Sequence, residues 1–148
     1  MKHLPFFIAL VMAITARVAL AQDATPTGLW TNIDDESGKP KAAIRIVEEA
    51  GVYVGRIEKL FTTPGEDANP ICTKCDGTRK NRPIIDMVIL YDMKRNGDEY
   101  AGGKILDPNN GRIYSSNLTI LEHGAKLGVR GYLGVPMLGR TQVWIRQQ

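Results

Sequence analysis

The chain has 148 residues, 43% of them hydrophobic and 24% charged, which is enough for a single core without a metal or many disulfides. Without Lys2 and Arg17, which lie in the N-terminal segment discussed below, 17 basic residues stand against 16 acidic residues, a net charge of +1. A net charge so close to zero gives no electrostatic reason to expect binding to nucleic acid or to an anionic membrane.

The N-terminal segment has the layout of a secretory signal peptide. A short basic start (residues 1–3) precedes an apolar run (residues 4–16), and Ala19 and Ala21 place small residues ahead of a cut before Gln22. The apolar run is too short to span a bilayer comfortably. An uncleaved membrane anchor is the alternative.

Cleavage at this point defines the domain organisation. Residues 1–21 are the predicted signal peptide, and residues 22–148 form one predicted domain. We therefore expect a periplasmic or secreted protein that has no stable membrane insertion once the signal peptide is removed.

The mature sequence has the pattern of an all-β protein. Short runs rich in Val, Ile and Tyr alternate with clusters of Gly, Pro, Asn and Asp about every ten residues, and no segment of useful length has a helical period. The predicted strands are residues 28–32, 41–48, 52–60, 84–92, 99–106, 112–121, 126–133 and 140–146, with one long irregular segment at 61–83.

Eight consecutive strands with mostly short turns favour an antiparallel up-and-down barrel. Closing the sheet removes its exposed edges. An eight-stranded interior is either filled by side chains or holds one small ligand. A two-sheet β-sandwich is the alternative.

The first and last strands carry the residues expected to close the barrel. Gly28 and Trp30 lie on the first strand, and an arginine of the last strand would stack on the indole. Arg146 is the first choice for that arginine, and Arg140 is the second.

Cys72 and Cys75 leave three interpretations open. In an exported protein, two cysteines most simply form one structural disulfide. A redox-active pair would need a following helix, for which there is no pattern, and a zinc site would need four ligands although His123 is the sole histidine of residues 22–148. We expect a disulfide that pins the long irregular segment, and no metal.

The sequence contains no catalytic constellation. His123 lies in a Glu-His-Gly turn, and the acidic pairs lie in or beside predicted turns, where they are solvated. Gly102-Gly103-Lys104 lacks the spacing of a nucleotide-binding motif, so the paired glycines indicate a bulge or a barrel bend. We predict a non-enzymatic protein without a cofactor.

Aromatic and cationic side chains near the C-terminus are the candidate ligand contacts. Arg130, Tyr132 and Trp144 would line a pocket for an amphipathic or anionic ligand if they pointed inward. If they pointed outward, they would form a stabilising surface ladder, and periodicity alone does not decide between the two. Tyr53 and Tyr114 complete the set of candidates.

Several motifs follow one another along the sequence. They are Gly28-Leu29-Trp30, Cys72-Thr73-Lys74-Cys75-Asp76-Gly77, Gly103-Lys104-Ile105-Leu106-Asp107-Pro108 with Asn110-Gly111, Val129-Arg130-Gly131-Tyr132-Leu133-Gly134 and Gly139-Arg140-Thr141-Gln142-Val143-Trp144. Taken in order, these motifs resemble one family of small exported bacterial proteins, catalogued as domain of unknown function 2147. The resemblance implies a lipocalin-like or calycin-like barrel of the cell envelope or the secreted fraction, and it implies no activity. Lipocalins usually have a helix after the last strand, which this sequence does not match.

These features lead to three functional hypotheses. The first is a barrel that binds a small apolar or amphipathic ligand. The second is an envelope protein with a packed barrel that contacts a protein partner through an exposed apolar patch, at residues 135–138 or near Phe61. The third is an envelope thiol-disulfide protein that uses Cys72 and Cys75. None of the three involves nucleic acid.

Overall fold

A computed structural model describes residues 24–148, and these residues form a closed eight-stranded antiparallel barrel in which each strand pairs with its sequence neighbours and the last pairs with the first. The predicted barrel is therefore confirmed over the sandwich, whereas the predicted signal peptide lies outside the described residues. The strands are β1 (Gly28–Ile33), β2 (Pro40–Glu49), β3 (Val52–Leu60), β4 (Val88–Asn96), β5 (Glu99–Asp107), β6 (Arg112–Leu121), β7 (Lys126–Tyr132) and β8 (Arg140–Arg146).

The predicted strand boundaries agree closely with the structure except at β4. The prediction of 84–92 was wrong by four residues at each end, because β4 runs from Val88 to Asn96. The chain turns at Asp86, whose φ is 66°, and the Ile84 N–H donates to the Pro70 carbonyl at 2.9 Å. The irregular segment is therefore 61–87, and its apolar end packs on the core as a loop.

Side chains fill the inner face of the barrel. Strand alternation directs every second residue inward, and the inward residues of neighbouring strands meet in one apolar cluster. The large side chains that are less than 2% exposed include Trp30, Trp144, Ile44, Ile46, Leu90, Met93, Leu118 and Leu127.

The paired glycines of β5 form the predicted bulge. The β5–β6 register shifts between Tyr100 and Gly103, and Gly102 has a φ of 75°. A Cβ on Gly103 would lie 2.7 Å from the Met93 Cε and 2.8 Å from the Tyr91 carbonyl oxygen. The bulge therefore lets β4 and β5 approach closely in the core.

The connections divide the barrel into two ends. The closed end contains residues 24–27 and the turns at 50–51, 97–98 and 122–125. The disulfide end contains the connections at 34–39, 61–87, 108–111 and 133–139. The helical structure of the described residues is three 3-10 turns, Gly77–Arg79, Glu122–Gly124 and Pro136–Leu138. No helix within residues 24–148 has the length and apolarity needed to cross a membrane.

Candidate functional site

At the closed end, Arg146 lies on Trp30. The two residues are direct cross-strand partners, and the guanidinium carbon is 4.1 Å from the indole centroid. The guanidinium donates to three backbone carbonyls, those of Gly124 at 2.5 Å, Thr27 at 2.7 Å and Thr25 at 2.8 Å. These three hydrogen bonds hold residues 24–27 and the β6–β7 turn against the barrel.

The surroundings of Arg146 leave no room for a ligand. A Cβ on Gly28 would lie 2.6 Å from an Arg146 terminal nitrogen, and Trp30 is fully buried and donates its indole N–H to the Pro26 carbonyl at 2.7 Å. Burial lowers the pKa of Arg146 below its usual value. This constellation is structural.

Arg140 does not contact Trp30. It lies at the other end of β8, where it forms an ion pair with Asp35. Gln142 donates to the same carboxylate at 3.2 Å and accepts a hydrogen bond from the Asn32 side chain at 2.9 Å. Arg140 therefore fastens the β1–β8 seam at the disulfide end.

The two cysteines form the predicted disulfide, and both are buried. The segment around them packs against the β5–β6 turn: Cys72 Sγ lies 3.5 Å from the Pro108 carbonyl oxygen, and a Cβ on Gly111 would be 1.8 Å from the Lys74 carbonyl oxygen. Gly111 has a φ of 74°, so glycine is required there both for the turn and for the contact. We call residues 71–83 the disulfide loop.

A cleft lies between the disulfide loop and the outer face of β5 and β6. Its volume is about 310 Å³. Leu106 and its cross-strand partner Ile113 point outward, on the same face as the exposed Lys104 and its partner Ser115. Leu106 is nevertheless buried, and it forms the floor of the cleft. We call this cavity the disulfide cleft, and its lining residues are Cys75, Asp76, Arg79, Leu106, Gly111, Arg112, Ile113 and Leu133.

Two guanidinium groups line the disulfide cleft. Arg79 is held with its guanidinium carbon 4.9 Å from the ring centroid of Tyr91. The exposed Arg112 side chain has no ion-pair partner within residues 24–148. With Asp76 as the one carboxylate, the lining has a net charge of +1. The cleft therefore combines an apolar floor with hydrogen-bond donors for an anion.

A second cavity, of about 380 Å³, lies on the other side of the disulfide loop. Arg79 lines both cavities, together with Arg82 and Asp86 in the second. The disulfide loop thus separates two recesses and places cationic side chains in each.

The five predicted ligand contacts do not come together in one site. Trp144 is buried on the inner face, and Tyr53, also buried, packs edge-on against Tyr100 with ring centroids 4.9 Å apart. The Tyr114 hydroxyl accepts a hydrogen bond from Asn110 at 3.1 Å. Arg130 and Tyr132 lie on the outer face of β7, since Leu127 and Val129 of that strand point into the core. A role in ligand binding stays a prediction for each of the five.

Burial raises the pKa of Tyr53 to about 12, and hydrogen bonds with Glu48 and Tyr100 act in the same direction. The phenol is therefore neutral at physiological pH and serves as a hydrogen-bonded core group at the closed end.

Two buried donors on the inner face have no partner. The Ser116 hydroxyl and the Trp144 indole N–H make no hydrogen bond within the described residues, although both residues are at most 1% exposed. Buried polar groups are usually satisfied by protein or by ordered water. Within the described residues, these are the two buried side-chain polar atoms left without a partner.

Sequence reasoning missed Leu106, Arg112, Ile113 and Arg79. The available signal was the pair Ile105-Leu106, which breaks inside–outside alternation and puts an apolar residue on each face of β5. An apolar residue on the outer face needs a cover, and the disulfide loop supplies it.

The described residues include no group of three or more His, Cys, Asp or Glu that could hold a metal ion. Within the same residues the one histidine, His123, is exposed in a turn at the closed end, far along the barrel from the disulfide cleft. The expected absence of a metal and of catalysis stays a prediction.

The comparisons with known proteins agree with the fold. The chain is similar to a solved structure of protein HP1028 from the human pathogen Helicobacter pylori, described as belonging to the lipocalin family, with a TM-score of 0.71, 18% sequence identity and 84% of each chain covered. No curated protein matches the sequence. Residues 28–146 match the family described as uncharacterized proteins conserved in bacteria, DUF2147. The chain, a lipocalin-like barrel, therefore belongs to the DUF2147 family.

Proposed function

We propose that this protein is a non-catalytic binding barrel that holds a small amphipathic ligand with an anionic group in the disulfide cleft. The observation that carries the proposal is the composition of the cleft: Leu106, Ile113 and Leu133 form an apolar surface beside the guanidinium groups of Arg79 and Arg112. Apolar lining with a few placed polar groups is the usual make-up of a ligand site.

The chemistry of the cleft defines the ligand class. Its volume of about 310 Å³ is near the lower limit of small-molecule sites. The net charge of +1 on its lining favours a monoanion, such as a carboxylate or a phosphodiester, over a dianion. The stacking of Arg79 on Tyr91 fixes one guanidinium before the ligand arrives, which lowers the entropy lost on binding.

The packed interior favours a ligand site outside the barrel. Trp30, Trp144 and Met93 are buried within the barrel, and a ligand of lipid size would have to displace such side chains. The cleft needs no such rearrangement. The lipocalin-like fold supports small-ligand binding in general and does not specify its location.

Burial of the disulfide argues against the thiol-disulfide hypothesis. Cys72 and Cys75 are at most 1% exposed. Exchange requires a thiolate to reach a sulfur atom, and the burial of both cysteines opposes that approach. The disulfide shapes the cleft wall instead.

The barrel interior is the second candidate site, favoured by the unpaired donors of Ser116 and Trp144. A small polar molecule that accepted hydrogen bonds from both groups would satisfy them. Such a ligand would shift the tryptophan fluorescence, because Trp144 would contact it. A ligand in the disulfide cleft would leave the fluorescence unchanged.

Calorimetric titration with decanoate tests the proposal, with decanol as the uncharged control. We expect decanoate to bind and the double variant Arg79→Gln/Arg112→Gln to weaken binding at least about tenfold. The matched control Lys94→Gln/Lys126→Gln neutralises two cations at the closed end and should leave the affinity unchanged. Equal binding of decanoate by both double variants, or no binding by the natural protein, would contradict the proposal.

A further inference from the structure

The β7–β8 connection exposes an unusual amount of apolar surface. Leu133, Val135, Met137 and Leu138 are 58%, 53%, 89% and 80% exposed. Single exposed apolar residues are ordinary, but a contiguous group of this kind marks an interaction surface. We call residues 133–138 the apolar loop.

The apolar loop is held in place by Arg130. The guanidinium of this residue donates to the Pro136 carbonyl at 2.7 Å, to the Met137 carbonyl at 3.3 Å and to the Thr141 hydroxyl at 2.8 Å. Within the loop, the Leu138 N–H donates to the Val135 carbonyl at 3.2 Å. The exposed apolar side chains are therefore presented by an ordered backbone, and little conformational entropy remains to be lost on docking.

Basic residues lie beside the apolar loop. The disulfide loop has four basic residues and one acidic residue, a net charge of +3, and Arg112 adds a further cation across the cleft. Leu133 of the apolar loop lines the same cleft as Arg79 and Arg112, so the two loops adjoin. These cations belong to the disulfide loop and Arg112, whereas other connections at the same end contain acidic residues, namely Asp34, Asp35, Glu36, Glu66 and Asp67.

We propose that the face formed by the apolar loop and the disulfide loop docks peripherally on an anionic phospholipid bilayer. Met137 and Leu138 enter the boundary between headgroups and acyl chains, and the basic disulfide loop contacts the phosphates. An apolar tip with basic residues on one side matches this interface, which combines an apolar phase with surface negative charge. Met137 and Leu138 are almost fully exposed, so a protein partner would need a matching pocket to cover them, whereas a fluid bilayer needs none.

This docking goes beyond the proposed ligand binding and does not depend on it. The docking is tested at Met137, Leu138, Lys74 and Lys80, and none of these four residues lines the disulfide cleft. Failure of decanoate binding would therefore leave the docking proposal standing, and failure of docking would leave the cleft proposal standing.

Co-sedimentation of the protein with vesicles tests the docking. We expect binding to vesicles of phosphatidylglycerol and phosphatidylcholine, little binding to phosphatidylcholine alone, and a clear loss as salt rises from about 0.1 M to about 0.5 M. Met137→Ser/Leu138→Ser should lower the partition coefficient about tenfold, and Lys74→Gln/Lys80→Gln should lower it several-fold.

Two controls separate docking from general effects. Val47→Ser removes an exposed apolar side chain from β2, and Lys94→Gln removes an exposed cation at the closed end. Both should bind as the natural protein does. All variants share the same N-terminal residues, so any vesicle binding by those residues is the same in every variant. Thermal unfolding should show every variant folded, since each altered side chain is exposed.

Two results would overturn the proposal. The first is an absence of binding to phosphatidylglycerol vesicles at low salt. The second is unchanged binding by the folded Met137→Ser/Leu138→Ser variant. If the natural protein did not bind vesicles and its apolar loop bound an envelope protein instead, the surface would be a protein-binding site and the bilayer proposal would be wrong.

Discussion

The two ends of the barrel use similar residue types for different purposes. At the closed end, the Arg146 guanidinium lies on Trp30 and donates hydrogen bonds to three backbone carbonyls. At the disulfide end, Arg79 stacks on Tyr91 and keeps its donors available, and Arg112 has no ion-pair partner within the described residues. An arginine beside an aromatic ring therefore indicates a site only when its hydrogen-bond donors remain unused.

Removal of Arg146 should have the largest effect on stability. Arg146→Ala leaves three carbonyls without their donor and uncovers the Trp30 ring, and we expect a loss of about 3 kcal/mol in the free energy of unfolding. Arg140→Ala is the matched control at the other end of the same strand, and its exposed ion pair should contribute less than about 1 kcal/mol. Urea denaturation measures both. Similar losses for the two variants would show that the ends are not specialised.

Removal of the disulfide should cause the second-largest loss of stability, and this loss should affect the disulfide end. Cys72→Ser/Cys75→Ser should lose about 2 kcal/mol, because the closed loop is short. The same variant should bind decanoate more weakly, since the disulfide loop forms one wall of the cleft. Hydrogen exchange should be faster in residues 71–83 and unchanged around Trp30. Faster exchange at the closed end would contradict the separation of the two ends.

High pH should weaken the closed end selectively. The folded pKa of Tyr53 is about 12 against an ordinary value of 10. A raised pKa of this kind means that the stabilisation is complete below pH 10 and is lost as pH rises towards 12. Ultraviolet titration should show one tyrosine ionising late, and Tyr53→Phe should remove that late phase. A late phase that survived in Tyr53→Phe would assign it to another tyrosine.

Low pH should weaken the disulfide end, with the smallest effect of the series. Hydrogen bonds from the backbone N–H and hydroxyl of Ser37, with Lys41 nearby, lower the pKa of Asp34 to about 2 from 3.8. A lowered pKa stabilises the fold above the unfolded value, so the contribution is lost as pH falls from 3.8 towards 2. Carboxyl chemical shifts followed by NMR should report this pKa. An ordinary value for Asp34 would show that the β1–β2 turn is not held as described.

The fold was largely predictable because its signals are local. Alternating strands and turn residues located β3, β6 and β8 at their observed bounds. The β4 error came from Ile84 and Ile85, whose apolar character indicates a strand, although Asp86 turns the chain and Ile84 packs on the core from a loop. Burial alone does not distinguish a strand from a loop that is pressed onto the core.

The candidate site was much less predictable, for two physical reasons. First, the inward face differs between neighbouring strands: β7 turns its apolar side inward, whereas β8 turns inward the face that contains Trp144. The predicted group of Arg130, Tyr132 and Trp144 is therefore divided between two faces. Second, the cleft depends on long-range packing of the disulfide loop on Leu106, and net charge over the whole chain hides the local excess of cations.

Two-dimensional NMR during a decanoate titration tests the central claim most directly. The protein has two tryptophans, Trp30 and Trp144, and both lie on the inner face, so their indole N–H signals report on the interior. We predict shifts for the backbone amides of Asp76, Arg79, Arg112 and Leu133, and unchanged indole signals. Shifts of the indole signals without shifts around the disulfide cleft would place the ligand inside the barrel and contradict the account.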